Sequence, residues 1–338
     1  MPPHFWLWLL IGLSVFGVVY WWIAARELAQ QKSALMAKQR TVAQSLGPRI
    51  LPFRDKIEAW VAELAHDPWP GDEIASEVEL AEVRRTPGVY LRLRQANAKE
   101  RDEIPAAAAV SLHDGFTSCF FIRRGEADPR RGEPCTNLGD CEPGFLCNEW
   151  NVCVPPPRPY NLRLAYRALR ILSPEWVEQL HEASNDLEVR VQARDLEGVT
   201  QNDVPIAIEL LSRAEYLTVV LDETPEGGPP PALEDAGAET IDQRLQRSPH
   251  YARVGIWDLE SERLLVRLRR MASGTLLAVG TRTGQQSREN LAAQQRQTNS
   301  CALALAVKQA ITEKGAAAAL QPDPNTEANE AKAATSEE

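Results

Sequence analysis

Cys135, Cys141, Cys147 and Cys153 stand with five residues between each and the next, inside Pro134-Cys-Thr-Asn-Leu-Gly-Asp-Cys-Glu-Pro-Gly-Phe-Leu-Cys-Asn-Glu-Trp-Asn-Val-Cys153. Pro143-Gly144 supplies a turn, and the stretch holds too few apolar residues to fold by burial. Covalent cross-links must therefore hold it. Disulfides persist only in oxidising compartments, so this segment constrains where the whole chain resides. A four-cysteine zinc site competes with this reading. Zinc knuckles bring two thiolates to one ion from cysteines two to four residues apart, and these gaps fit that poorly.

The segment resembles the small cysteine-rich modules of the Dickkopf N-terminal type, which recur in bacterial surface proteins with C-x5-C-like spacing. The resemblance covers about 20 of the 338 residues. It implies staggered pairing, Cys135 with Cys147 and Cys141 with Cys153, and it implies no activity. Cys119 and Cys301 are then the natural remaining pair, because an even count in an oxidising compartment leaves few other partners. Two buried free thiols are the alternative.

Phe5–Ala25 is 21 residues without a charge. As a helix it spans roughly 31 Å, the thickness of a hydrocarbon core. Trp6 and Trp8 at one end, and Tyr20, Trp21 and Trp22 at the other, match two interfacial aromatic belts. A cleaved signal peptide is disfavoured, because Met1-Pro-Pro-His4 lacks Lys or Arg and the apolar run exceeds the usual h-region. The expectation is an uncleaved single-pass anchor over 1–25 in the inner membrane. Orientation is contested. Arg26, Lys32, Lys38 and Arg40 follow the apolar run, which by the positive-inside rule places the bulk in the cytoplasm. The cysteines argue the reverse and carry more weight, since so short an N-terminal tail gives the charge comparison little leverage. The expectation is a bulk in the periplasm or extracytoplasmic space.

The net charge of −10 is local. Asp222–Asp242 holds seven acids and no base, and Gly315–Glu338 holds five acids against Lys332. The remainder is nearly neutral. No basic patch for nucleic acid exists, and both acidic tracts read as solvated, flexible segments.

The fold expected is α+β. After the anchor, 26–48 reads as a helical stalk ending at Gly47-Pro48. Leu28, Leu35 and Val42 recur every seven residues, a narrow seam suited to a parallel homodimer or to a single helix lying on its own domain. Residues 51–131 and 158–223 read as two copies of a helix–strand–helix–strand module. The echoes are Glu58-Ala-Trp-Val-Ala-Glu-Leu64 against Pro174-Glu-Trp-Val-Glu-Gln-Leu180, Tyr90–Arg94 against Glu188–Gln192, and Ser118–Ile122 against Tyr216–Leu221. The cysteine-rich insert occupies 132–157, and an acidic Pro/Gly loop occupies 224–249. A hairpin of Tyr251–Asp258 and Arg263–Arg269 and a helix from Ser287 to Lys314 fill 250–314, with a disordered tail over 315–338.

No nucleophile elbow, zincin motif, P-loop or dinucleotide fingerprint occurs, so no catalytic, metal or cofactor residue is assigned. His4, His66, His113, His181 and His250 are scattered; His66 and His181 suit helix-terminal carbonyls. These readings favour a non-catalytic envelope protein that contacts the membrane through its first helix and binds an unidentified envelope partner. The alternatives are an envelope enzyme whose site assembles only in three dimensions, and a cytoplasm-facing protein with reduced cysteines.

Overall fold

The computed structural model describes residues 4–75, 83, 88–111, 114–120, 133–136, 140–141, 146–147, 151–154, 160–234, 237–275 and 288–319. In chain order the elements begin with α1 (His4–Ala65), β1 (Glu73–Ile74), β2 (Gly88–Arg94), α2 (Gln95–Lys99), α3 (Ile104–Val110) and α4 (Gly115–Phe120). They continue with β3 (Leu146–Cys147), β4 (Cys153–Val154), β5 (Tyr160–Asn161), α5 (Arg163–Arg170), α6 (Pro174–Glu182) and α7 (Asp186–Gly198). A π-helical turn, Val199–Asp203, leads into α8 (Val204–Arg213). The last are β6 (Tyr216–Asp222), α9 (Ile241–Gln246), β7 (His250–Asp258), β8 (Arg263–Ala272) and α10 (Arg288–Ala319). The chain divides into two compact units, Met1–Lys56 with Leu164–Ile208, and Ile57–Arg163 with Glu209–Glu338.

In the first unit the expected stop at Gly47-Pro48 is overturned. Helix α1 runs on with Pro48 and Pro52 inside it. Each proline removes one backbone donor, leaving the carbonyls of Gln44 and Pro48 without their i+4 partners. Burial holds the helical course across the gap: Leu35, Gln39 and Ile50 lie on one covered face. Gln39 Nε2 donates to the Ile171 carbonyl at 2.9 Å, and Lys32 Nζ to that of His181 at 2.8 Å. Of the residues read as a dimer seam, Leu35 is buried and Leu28 and Val42 are half-buried within the same chain. Farther up the helix, Leu13, Phe16, Tyr20 and Trp21 are 60–70% exposed. Among the described residues no helix is long and apolar enough to cross a membrane. The side chains of residues 5–12, part of the expected anchor, lie outside the described set.

The duplicated module is also overturned. Glu188–Gln192, expected as a strand, lies inside α7. Its alternation is outweighed by a cap: Asn185 Oδ1 accepts the Glu188 N–H at 3.0 Å, while the Glu188 carboxylate accepts the Ser184 N–H. The buried residues Val189 and Leu196 then recur at helical spacing. In the other supposed copy, Ser118–Phe120 belongs to α4, where the Asp114 carboxylate accepts the Phe116 N–H at 2.8 Å. Residues 121–122 of that expected strand lie outside the described set. A helix stands where the echo requires a strand in both copies, so the described residues do not form the expected repeat.

The second unit is built on a mixed sheet of order β1-β8-β7-β6-β2-β5. Strands β2 and β6 pair in parallel with Arg94 opposite Asp222, while β6–β7 and β7–β8 are antiparallel. The β7–β8 hairpin expected from the sequence is present. Central β6 is buried at every residue, as a strand covered on both faces must be. Period-two geometry sends Tyr90, Val220, Val254 and Leu268 into one core with Phe116, Phe120, Leu303 and Val307 of α4 and α10. The last turns of α1 pack on the other face, with Trp60 stacked on Trp257 at 5.8 Å. Gly255 is required there, since a Cβ would lie 2.2 Å from the Trp257 ring. Helix α10 continues through Gly315 to Ala319, past the expected stop, because one helical glycine costs only about 1 kcal/mol and good helix formers follow it. The tail over 320–338 lies outside the described residues.

All six cysteines are bonded: Cys119–Cys301, Cys135–Cys147 and Cys141–Cys153. In the insert, β3 and β4 pair antiparallel with Cys147 opposite Cys153. The Cys153 N–H donates to the Glu133 carbonyl and the Cys135 N–H to that of Asn151, closing a second rung.

Candidate functional site

The parallel pair β2–β6 ends in charge. Tyr90, Arg92 and Arg94 alternate along β2, and Asp222 closes β6. Arg92 Nε and Nη2 donate to the two carboxylate oxygens of Asp222 at 2.8 and 2.7 Å, a bidentate fork. Its Nη1 donates to Asp114 and, at 2.9 Å, to Ser300 Oγ of α10. The Tyr90 hydroxyl donates to Asp114 at 3.1 Å. His250, at the start of β7, places Nε2 2.7 Å from Asp222 and Nδ1 2.7 Å from the Ser248 carbonyl. Side-chain exposure is 2% for Arg92, 3% for Asp222 and 0% for His250, so water does not screen this cluster.

Arg92 stands between two carboxylates, Asp114 and Asp222. Burial pushes the Asp222 carboxyl up, but Arg92 and then His250 outweigh it and hold it well below the carboxylate range. Burial likewise opposes the Arg92 charge, and Asp114 and Asp222 more than restore it. Burial raises the Tyr90 phenol, with Asp114 adding to the rise, so it stays a neutral donor. Both His250 nitrogens lie against protein oxygens, a carboxylate and a carbonyl. Among the described residues, neither ring nitrogen is paired with a hydroxyl or thiol nucleophile. An Asp–His pair here is a rivet between strands and not the base of a hydrolytic triad.

The stretch Asp222–Asp242, expected as a solvated loop, is corrected by these contacts. Glu223 accepts from Arg253 Nε at 2.7 Å and Arg269 Nη2 at 2.7 Å. Glu239 accepts from Arg247 Nε at 3.1 Å. Thr240 and Gln243 form a capping box that starts α9, which places Asp242 beside Arg94. Asp222, Glu223, Glu239 and Asp242 are held by arginines elsewhere in the chain, while Glu226 and Glu234 are exposed as expected.

A second cluster ties the end of α1 to the sheet. Arg253 donates to the Leu64 and His66 carbonyls at 3.2 and 2.6 Å and to the Asp67 carboxylate, and its guanidinium lies over the Trp69 ring. For His66 and His181 it is thus the backbone carbonyl that is engaged; His113 lies outside the described residues. The Asp67 carboxyl is pulled from 3.8 to about 2, first by its hydrogen bond from Lys99 and then by that from Arg253. A lowered carboxyl contributes stability that is present above its unfolded value and lost as pH falls towards its folded value. The urea midpoint should therefore fall between about pH 4 and pH 2, and Asp67→Asn should flatten part of that fall. An unchanged profile in Asp67→Asn would mean that the ion pair contributes nothing.

Between the ends of β2 and β6, α3 and α9 lies a cleft of about 320 Å³. It occupies the carboxyl end of the parallel strands, where α/β sheets leave room for ligands. Its lining includes Arg94, Asn97, Ser111, Asp242 and Gln246. None of these was singled out as a site residue from the sequence. The Sγ atoms of Cys135, Cys141 and Cys153 lie within 4.8 Å of one another, a separation that suits a metal. Each is in a disulfide, so no thiolate is available to bind one. No protein-family model, curated protein or solved structure matches the chain.

Proposed function

We propose that this protein is a membrane-anchored, extracytoplasmic, non-catalytic component of the cell envelope with a binding or structural role. The observation that carries this reading is that every cysteine is disulfide-bonded, one pair spanning 182 residues between α4 and α10. Such a chain belongs in an oxidising compartment. Anchoring through Phe5–Ala25 is supported by the exposed apolar side chains of its described part, Leu13, Val15, Phe16, Val18, Tyr20, Trp21 and Trp22 among them, which lie on every side of the helix. A helix apolar on every side finds its partner in lipid or in a protein core. The Dickkopf-like segment fits a surface role, and both nitrogens of His250 are taken up by contacts within the protein.

A C-terminal fusion tests the reading. Alkaline phosphatase, which needs disulfides to fold, should be active at that position in cells, and β-galactosidase should be inactive. The reverse pattern would place the bulk in the cytoplasm and end the proposal.

A further inference from the structure

The cleft beside β2 carries one charge of each sign at its wall. Arg94 Nε lies 2.8 Å from Asp242 Oδ1, yet the two are not aligned as a hydrogen bond and both atoms lack any such partner. Burial raises the Asp242 carboxyl and Arg94 only partly offsets this, so the acid gains from a further cation. The side chains are 28% and 49% exposed, which leaves both free to swing apart. Deeper in, Arg92 is already neutralised by Asp114 and Asp222. The lining therefore has no surplus charge, which disfavours phosphates and polycations. Asn97 and Gln246 line the same space, and no hydrogen bond of their carboxamides occurs among the described residues. In the same lining, Ala106, Ala107 and the 61%-exposed Val110 give α3 an apolar strip.

We propose that this cleft binds a free α-amino acid with an aliphatic side chain. Its carboxylate meets Arg94, its ammonium meets Asp242, and its side chain lies on Ala106, Ala107 and Val110. The ammonium and carboxylate of such a zwitterion share one carbon, which matches two protein charges already in contact. Binding exchanges one misaligned internal pair for two charge-assisted hydrogen bonds. Asn97 and Gln246 supply donors and acceptors to the rest of the head group. The cavity lies at the small end of the range for ligand sites, about 300–1,000 Å³, and this suits a single amino acid better than a cofactor. The inference names a ligand for the binding role proposed above, and it does not depend on the side of the membrane.

Calorimetric titration of the full chain in detergent micelles with L-valine tests it, with N-acetyl-L-valine and L-valinamide as controls. Saturable binding of L-valine is expected, with each blocked form weaker by at least about tenfold because it leaves one charge unpaired. Asp242→Asn should abolish discrimination against the N-acetyl form, and Arg94→Gln discrimination against the amide. Both residues are partly exposed, and unchanged thermal unfolding verifies that the variants fold. Absence of saturation at about 10 mM L-valine, or equal binding of free and blocked forms, overturns the proposal. Either result would leave the fusion result for location untouched.

Discussion

Arg92→Leu should lower the unfolding free energy by about 3–5 kcal/mol, because it strands two buried carboxylates. Asp222 and Asp114 are almost fully buried, and Arg92 pairs with both, through its fork on Asp222 and its Nη1 on Asp114. His250 remains, but it reaches only Asp222 and only through one nitrogen. Leucine fits a strand position and leaves the charge loss as the main defect. Adding Asp222→Leu should recover part of the loss, so that the double variant is more stable than the sum of the singles by at least about 1 kcal/mol. Urea unfolding of the four proteins at neutral pH measures this cycle. Additive effects, or a single-variant loss below about 1 kcal/mol, would show that the fork is not what secures β2 to β6.

Cys119→Ser should have the other large effect, about 5 kcal/mol on the chain-entropy account, from a cross-link that spans 182 residues. The bond restricts the unfolded chain far more than either 12-residue bridge of the insert. In the folded state it joins α4 to α10, where a Cβ on Gly115 would meet the Gln297 carbonyl at 2.7 Å. The two helices already touch through backbone, so the tie holds a close-packed seam. Cys301→Ser and the double serine variant should match Cys119→Ser in thermal unfolding. The insert disulfides should contribute about 3 kcal/mol at most, as expected for short loops. Cys301 joined to a cysteine of the insert in non-reducing peptide maps of the native protein would sink this account.

Features with short sequence range were legible. Even cysteine spacing, two runs of alternating residues around Glu260-Ser-Glu262, and a heptad seam beyond the apolar run each lie within about 20 residues. Errors arose where two local signals conflicted. Glu188-Val-Arg-Val-Gln192 alternates as a strand does, but Asn185 and Glu188 carry the cap that starts a helix. Capping is decided by side chains one turn away, and it won because the helix also buries Val189 and Leu196. Gly47-Pro48 is a stop signal in an isolated helix, and burial at Ile50 overrode it.

The cleft and the charge clusters had no short-range signal. Arg92 and Asp222 are 130 residues apart, and Arg253 and Asp67 are 186 apart. An acidic run read alone is solvated, because nothing nearby neutralises it. The same run folds when parallel pairing sets Arg94 opposite Asp222 and the sheet brings Arg253 and Arg269 to Glu223. Spacing and composition thus carried the cross-linking chemistry and the apolar run, since both are written in consecutive residues. Which acids are buried, which histidine is a rivet and where a ligand can enter depended on strand order and register. Those are set by long-range packing of the two sheet faces, and charge burial follows from them.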